Sequence, residues 1–215
     1  MATFVLLPGA GSDSWYWHLV EPELGRRGHQ VVAVDLPCDD DSAGLAEYAD
    51  AVVEAAGGFD DLVLVAESLA GFTAPLVCER LPVRLMILVA AMVPAPGESP
   101  GDWWANTRHR FSGDDVDSIF FHDVPPEVAA EARRRDKDQS GTPFEKPWPL
   151  DRWPDVPTRF LLCRDDRCFP ADFQRRVVAE RLGIVPDEMD GGHLPALARP
   201  VELAERLDGY WRGVG

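Results

Sequence analysis

The stretch Asp61-Leu62-Val63-Leu64-Val65-Ala66-Glu67-Ser68-Leu69-Ala70-Gly71-Phe72 runs five aliphatic and small residues through one glutamate into a serine and then into a second apolar segment. The first run reads as a buried strand and the second as the start of a helix, with Ser68 at the turn between them. Nucleophilic chemistry needs such a turn, because it lifts the hydroxyl clear of the sheet. The residues two before and two after must then be small, since helix and neighbouring strand crowd there. Ala66 and Ala70 stand at those positions, where glycine is usual, and nearly meet the requirement. A serine that only caps the following helix produces the same local pattern, so the rest of the chain has to decide.

Outward from this segment, short aliphatic runs at 4–7, 31–34, 85–90, 159–162 and, more weakly, 183–189 alternate with amphipathic segments at 15–27, 45–56, 69–81, 171–182 and 200–212. With 62–65 this makes six strands in βα units, the signature of a mostly parallel sheet with helices on both faces. Pro186 removes a donor, which makes the last run an edge strand or a strand start. The alternation breaks between Pro94 and Pro157, where prolines, acidic clusters and exposed-looking aromatics (Trp103, Trp104, Phe111, Phe120, Phe121, Trp148, Trp153) take over around one expected helix at 126–136. The expected organisation is a core of residues 1–93 and 158–215 interrupted by a cap or lid at 94–157.

Two loops after later strands support a nucleophilic role for Ser68. Cys163-Arg164-Asp165-Asp166-Arg167-Cys168-Phe169-Pro170 ends a strand with paired acids, and Met189-Asp190-Gly191-Gly192-His193-Leu194 places a histidine on a glycine-loosened loop. The chain order Ser, Asp, His differs from the two common protease orders. In an open parallel sheet all three loops emerge at the carboxyl ends of strands, where such sheets bind ligands. A tetrahedral intermediate also needs two N–H donors. Ala10, in the loop Leu7-Pro8-Gly9-Ala10-Gly11-Ser12, and Leu69, directly after the serine, are the expected pair.

The whole chain has 215 residues, with 21 Lys and Arg against 37 Asp and Glu, a net charge of −16. At 46% hydrophobic residues it carries too much apolar content for a disordered acidic chain, and its charge repels nucleic-acid phosphates and anionic lipid. The expected partner is a small-molecule substrate, with neither nucleic acid nor membrane; oligomeric state is not encoded in any recognisable pattern. Met1 leads straight into the first strand without a basic flank, and Cys38, Cys78, Cys163 and Cys168 lack metal-ligand spacing. A cytoplasmic protein with reduced thiols is expected. Gly9-Ala10-Gly11 with Asp35 imitates a dinucleotide fingerprint, but Ser14 occupies the third glycine position. The expectation is therefore no cofactor and no metal. His18, His29, His109 and His122 have no ligand spacing and read as structural.

These segments resemble the α/β-hydrolases, specifically the branch of small plant methyl-ester esterases and hydroxynitrile lyases with their bacterial relatives. The stretches at 4–17, 62–76, 90–94 and 160–207 carry the resemblance. It implies Ser68 as nucleophile, His193 as general base and then acid, and Asp166 as the carboxylate orienting the imidazole, with Asp165 as the rival acid. The branch's lyases carry Thr after the position of Pro8 and Lys directly after the catalytic histidine, whereas its esterases carry Gly and an apolar residue. Gly9 and Leu194 thus imply ester hydrolysis. Pro8 stands for the family's usual His, and Ala66-Glu67 for its usual Gly-His. Glu67 puts a carboxylate near the oxyanion site, where it lowers activity unless it points away.

The expected activity is therefore that of a serine esterase acting on a small, largely apolar ester or thioester, with Trp15, Tyr16, Met92, Phe121 and Leu194 lining the pocket. Trp17 is expected in the core. The alternatives are a non-catalytic small-ligand receptor on the same fold, or a lyase or hydrolase of specialised metabolism. The negative field favours neutral or cationic substrates over free acids.

Overall fold

A computed structural model describes residues 1–110 and 115–214. Phe111, among the aromatics named above, lies outside the described residues. Among the described residues six strands, β1 (Thr3–Leu7), β2 (Gln30–Ala33), β3 (Leu62–Glu67), β4 (Val83–Val89), β5 (Thr158–Cys163) and β6 (Asp187–Met189), form one sheet in the order β2-β1-β3-β4-β5-β6. Every pairing is parallel.

The period of two along the strands builds the two cores. Val5, Leu7, Leu62, Leu64 and Ala66 face one side of the sheet, and Phe4, Leu6, Val63 and Val65 face the other. On the first side pack α2 (Leu45–Ala56), α3 (Ala74–Cys78) and α7 (Ala171–Leu182); on the second pack α1 (Glu21–Arg26) and α9 (Pro200–Gly213). Because both faces are covered, the strands read as continuous aliphatic runs and not as alternating ones.

Several elements are shorter than the sequence pattern predicts. The segment 15–27 is a 3-10 turn at Ser14–Trp17 followed by α1, which Pro22 starts afresh. The segment 69–81 likewise divides into a 3-10 turn at Ser68–Gly71 and α3, with Pro75 in its first turn. The strand predicted over 183–189 shrinks to β6, because Gly183 takes a left-handed conformation (φ 67°) that ends α7. Pro186 precedes β6, which is an edge strand.

Between β4 and β5 the predicted helix appears as α6 (Pro126–Arg135), but the expectation of a single helix there needs correction. Two more form, α4 (Pro100–Asn106) and α5 (Val116–Phe120), with a further 3-10 turn at Thr142–Phe144. Ser99 caps α4 through the Asp102 N–H, and Asp115 caps α5 through the Asp117 and Ser118 N–H groups. Trp103 and Trp148 are not exposed: both are buried, their indole N–H groups donating to the carbonyls of Val93 and Phe72. Each tryptophan thus removes a large apolar surface from water while satisfying its one donor. The short helix α8 (Pro195–Ala198) and the longer α9 follow the histidine loop.

Candidate active site

The chain leaves β1 toward one face of the sheet and leaves the adjacent β3 toward the other, so a crevice opens between their carboxyl ends. Ser68 stands at its base. Its φ of +50° is the left-handed conformation that an L side chain adopts only under constraint. The constraint is packing: Ala66 and Ala70 are buried, and the Met92 N–H donates to the Ser68 carbonyl at 2.9 Å. A methyl on Gly71 would overlap the Met92 carbonyl, so only glycine fits there.

His193 closes on the serine from the loop after β6, with Nε2 at 3.0 Å from Ser68 Oγ. Its Nδ1 lies 2.8 Å from Asp166 Oδ2. Asp166, and not Asp165, makes this contact. Asp166 is buried, and its other oxygen accepts from the Cys168 and Phe169 N–H groups at 2.8 Å each. Asp165 is exposed and accepts instead from the Gly191 N–H at 3.2 Å, tying the acid loop to the histidine loop. The rings of Phe120 and Phe169 meet the imidazole edge-on at 5.3 and 5.0 Å. Burial works to lower the His193 pKa, and the charge and hydrogen bond of Asp166, with Glu67, outweigh it and hold it above the ordinary value.

Glu67 does not point away. It is buried beneath Ser68, with Oε1 3.4 Å from His193 Nε2. Burial pushes its pKa up to about 7, His193 opposing the rise and Asp166 adding to it. A methyl on Gly9 would overlap Glu67 Oε2 and crowd Ser68 Cβ at 2.9 Å, which explains the bare backbone at this point of the loop after β1. The sequence places Glu67 next to the serine, but no pattern in it shows that the side chain turns toward the histidine.

Above Ser68 lies a cavity of about 500 Å³. Of the residues named from sequence, Met92, Phe121 and Leu194 line it, and so do Ala10 and Leu69. Trp15 and Tyr16 do not. They line a smaller adjoining cleft of about 50 Å³, which shares Ser12, Phe121, Asp136 and Leu194 with the larger cavity. Tyr16 and Trp17 are both buried against the sheet, and Trp15 stacks on His18. The aromatic wall comes instead from Trp104, Phe120, Phe144 and Phe169. The richness of 94–157 in aromatics is visible in the sequence, but which of them turn inward depends on how that segment folds back, and Phe169 joins them from the loop after β5.

The other histidines have structural partners: His18 the Trp15 carbonyl, His29 Asp208, His109 the Cys168 carbonyl and His122 the Asp165 carbonyl. Asp35, the acid of the apparent dinucleotide fingerprint, accepts from the Ser14 N–H. Among the described residues no group of three or more His, Cys, Asp or Glu side chains is placed to hold a metal ion, and no helix is long and apolar enough to cross a membrane.

Residues 4–206 match the Alpha/beta hydrolase family. The chain belongs to that family. The hydrolase is 23% identical to methylesterase 3 of Arabidopsis thaliana, over 94% of this chain and 93% of the relative. It is equally 23% identical to polyneuridine aldehyde esterase of Rauvolfia serpentina, over 95% and 93%. Among solved structures, polyneuridine aldehyde esterase superposes with a TM-score of 0.82 at 20% identity, covering 98% of this hydrolase and 99% of that chain. A pyrethroid hydrolase from Sphingobium faniae JZ-2 gives 0.79 at 20% identity, over 98% and 97%. At these identities the structural likeness speaks for the fold.

Proposed function

We propose that this hydrolase is a serine esterase that cleaves a small, largely apolar carboxylic ester or thioester through an acyl-enzyme. The observation that carries the reading is the relay Ser68–His193–Asp166, at 3.0 and 2.8 Å, opening onto an apolar cavity of about 500 Å³. The names of the relatives, methylesterases and polyneuridine aldehyde esterase, support it.

In this reading Ser68 Oγ attacks the acyl carbon while its proton passes to His193 Nε2, and Asp166 stabilises the imidazolium through Nδ1–H. The N–H groups of Ala10 and Leu69 hold the oxyanion. The carbonyl re-forms as the bond to the leaving oxygen or sulfur breaks, and that atom takes the proton from Nε2. Water then adds to the acyl carbon, gives its proton to Nε2, and the acid departs as Ser68 recovers that proton. Residues 94–157 serve as a cap that supplies Trp104, Phe120 and Phe144 to the aromatic wall, beside Phe169 of the acid loop, and excludes water. Four thiols outside any disulfide support a reducing, cytoplasmic setting.

A serine-directed phosphonate probe and a panel of short-chain nitrophenyl esters test this. The parent should label and turn over, and Ser68→Ala should lose labelling and roughly 10⁴-fold or more of its rate. Labelling of Ser68→Ala equal to the parent's would refute the assignment of the nucleophile. The rival reading, a receptor on this fold, predicts tight binding of a small apolar ligand with no steady ester release above the Ser68→Ala control.

A further inference from the structure

The relay uses one carboxylate, yet His193 faces two. Asp166 takes the Nδ1 edge, and Glu67 Oε1 approaches the Nε2 edge at 3.4 Å, beside the Ser68 hydroxyl at 3.0 Å. Among the described residues that oxygen has no hydrogen-bond partner, although its side chain is only 3% exposed. A buried carboxylate oxygen left without a donor is costly. A proton shared with the neighbouring imidazole relieves that cost.

We propose that Glu67 is a positioning residue that shares the Nε2 edge of His193 with Ser68 and so sets the protonation state from which the serine can react. The inference rests on the nucleophile and base assigned above. With one proton between the pair, that proton lies either on Nε2 or on Oε1. On Nε2 it blocks acceptance from Ser68; on Oε1 it leaves the imidazole neutral and receptive. Loss of the proton to solvent leaves a neutral imidazole beside a carboxylate, which is receptive as well. Since an anionic neighbour favours imidazolium, Glu67 holds the unreactive form to higher pH than Asp166 alone would.

Among the described residues, nothing facing Glu67 besides His193 and Gly9 opposes this effect. The groups facing Glu67 are Gly9 from the loop after β1, Tyr16 from the 3-10 turn that follows, Cys163 at the end of β5, Asp166 and Cys168 from the acid loop, and His193. Burial pushes Tyr16, Cys163 and Cys168 upward, so all three remain neutral near pH 7. Asp166 adds negative charge. His193 is the only cation in the set, and the pair must therefore titrate as one unit. The upward shift of Glu67, to about 7, agrees with this arrangement.

The test is kcat/KM for a nitrophenyl acetate across roughly pH 5 to 9, for the parent and for Glu67→Gln. Glutamine keeps the shape and an acceptor toward Gly9 but cannot ionise. The acid limb of the variant should lie about one unit or more below that of the parent. Coincident acid limbs would overturn the proposal, since a purely structural side chain does not move the profile. If Glu67→Gln does not fold, or if the parent cleaves no ester, nitrogen-15 NMR of the histidines in the Ser68→Ala chain decides without turnover. His193 should then titrate in two coupled steps around neutral pH; a single step at the ordinary histidine position would overturn the inference. Absence of ester cleavage with a two-step titration removes the esterase reading alone.

Discussion

Ser68 holds a φ of +50°, and the position costs about 1–2 kcal/mol for any residue with a Cβ. Ser68→Ala and Ser68→Gly both lose the hydroxyl and differ only in that carbon. Ser68→Gly should therefore be the more stable of the two by about 1 kcal/mol, some 2–4 °C in thermal midpoint for a chain of this size. Calorimetry on the pair checks this, and an equal or lower midpoint for the glycine variant contradicts a strained elbow. Glu67 adds a pH term. Its folded pKa of about 7 lies above the ordinary value of 4.5, so between these the folded chain binds more protons than the unfolded one. Stability then falls as pH rises through that window, and the raised pKa of His193 acts in the same sense. Glu67→Gln removes the first contribution. It should gain on the parent by about 1–3 kcal/mol between pH 5 and 8, as urea midpoints at the two pH values will show. No gain would mean that Glu67 ionises in the fold as readily as in water.

The turn from β3 into α3 depends on close contact. Gly71 backs onto the Met92 carbonyl just past β4, and a methyl there must push the helix off the sheet. Gly71→Ala should cost upward of about 2 kcal/mol or yield insoluble protein, measurable by denaturant unfolding. The histidine loop is held from the proposed cap: Asp123 accepts from the Gly192 N–H at 2.6 Å, and His122 meets the Asp165 carbonyl at 3.1 Å. Asp123→Ala frees that loop, and kcat should fall about tenfold with less change in KM. Elements whose residues are fixed by a local rule were legible in the sequence. The aliphatic runs of β1, β3, β4 and β5 and the full lengths of α2 and α7 belong to this group, as does the chain order of Ser68, Asp166 and His193. Where long-range packing decides, the sequence was silent. The burial of Trp103 and Trp148 needs carbonyls at Val93 and Phe72 that no local pattern points to, and Trp15 and Tyr16 lie close to the loop after β1 in sequence while turning into a separate cleft. The prolines at 22 and 75 were visible, but their effect, a 3-10 turn before a restarted helix, emerges only once the sheet fixes both ends.

At the scale of the whole molecule, the charge of −16 surrounds a site that already holds Asp166 and Glu67. A carboxylate product is repelled by that field, whereas a neutral alcohol is not. Inhibition by the product acid should accordingly tighten as ionic strength rises, while inhibition by the alcohol stays constant. Product-inhibition constants at low and high salt test this, and an acid constant independent of salt would assign the field no role. The bare backbone at Gly9 has its consequence over generations and not within a single molecule. Replacing Glu67 by a smaller residue removes only one of two collisions, since a side chain at position 9 would still meet Ser68 Cβ at 2.9 Å. A lineage that keeps the serine therefore stays bound to glycine at position 9, whatever is exchanged at position 67.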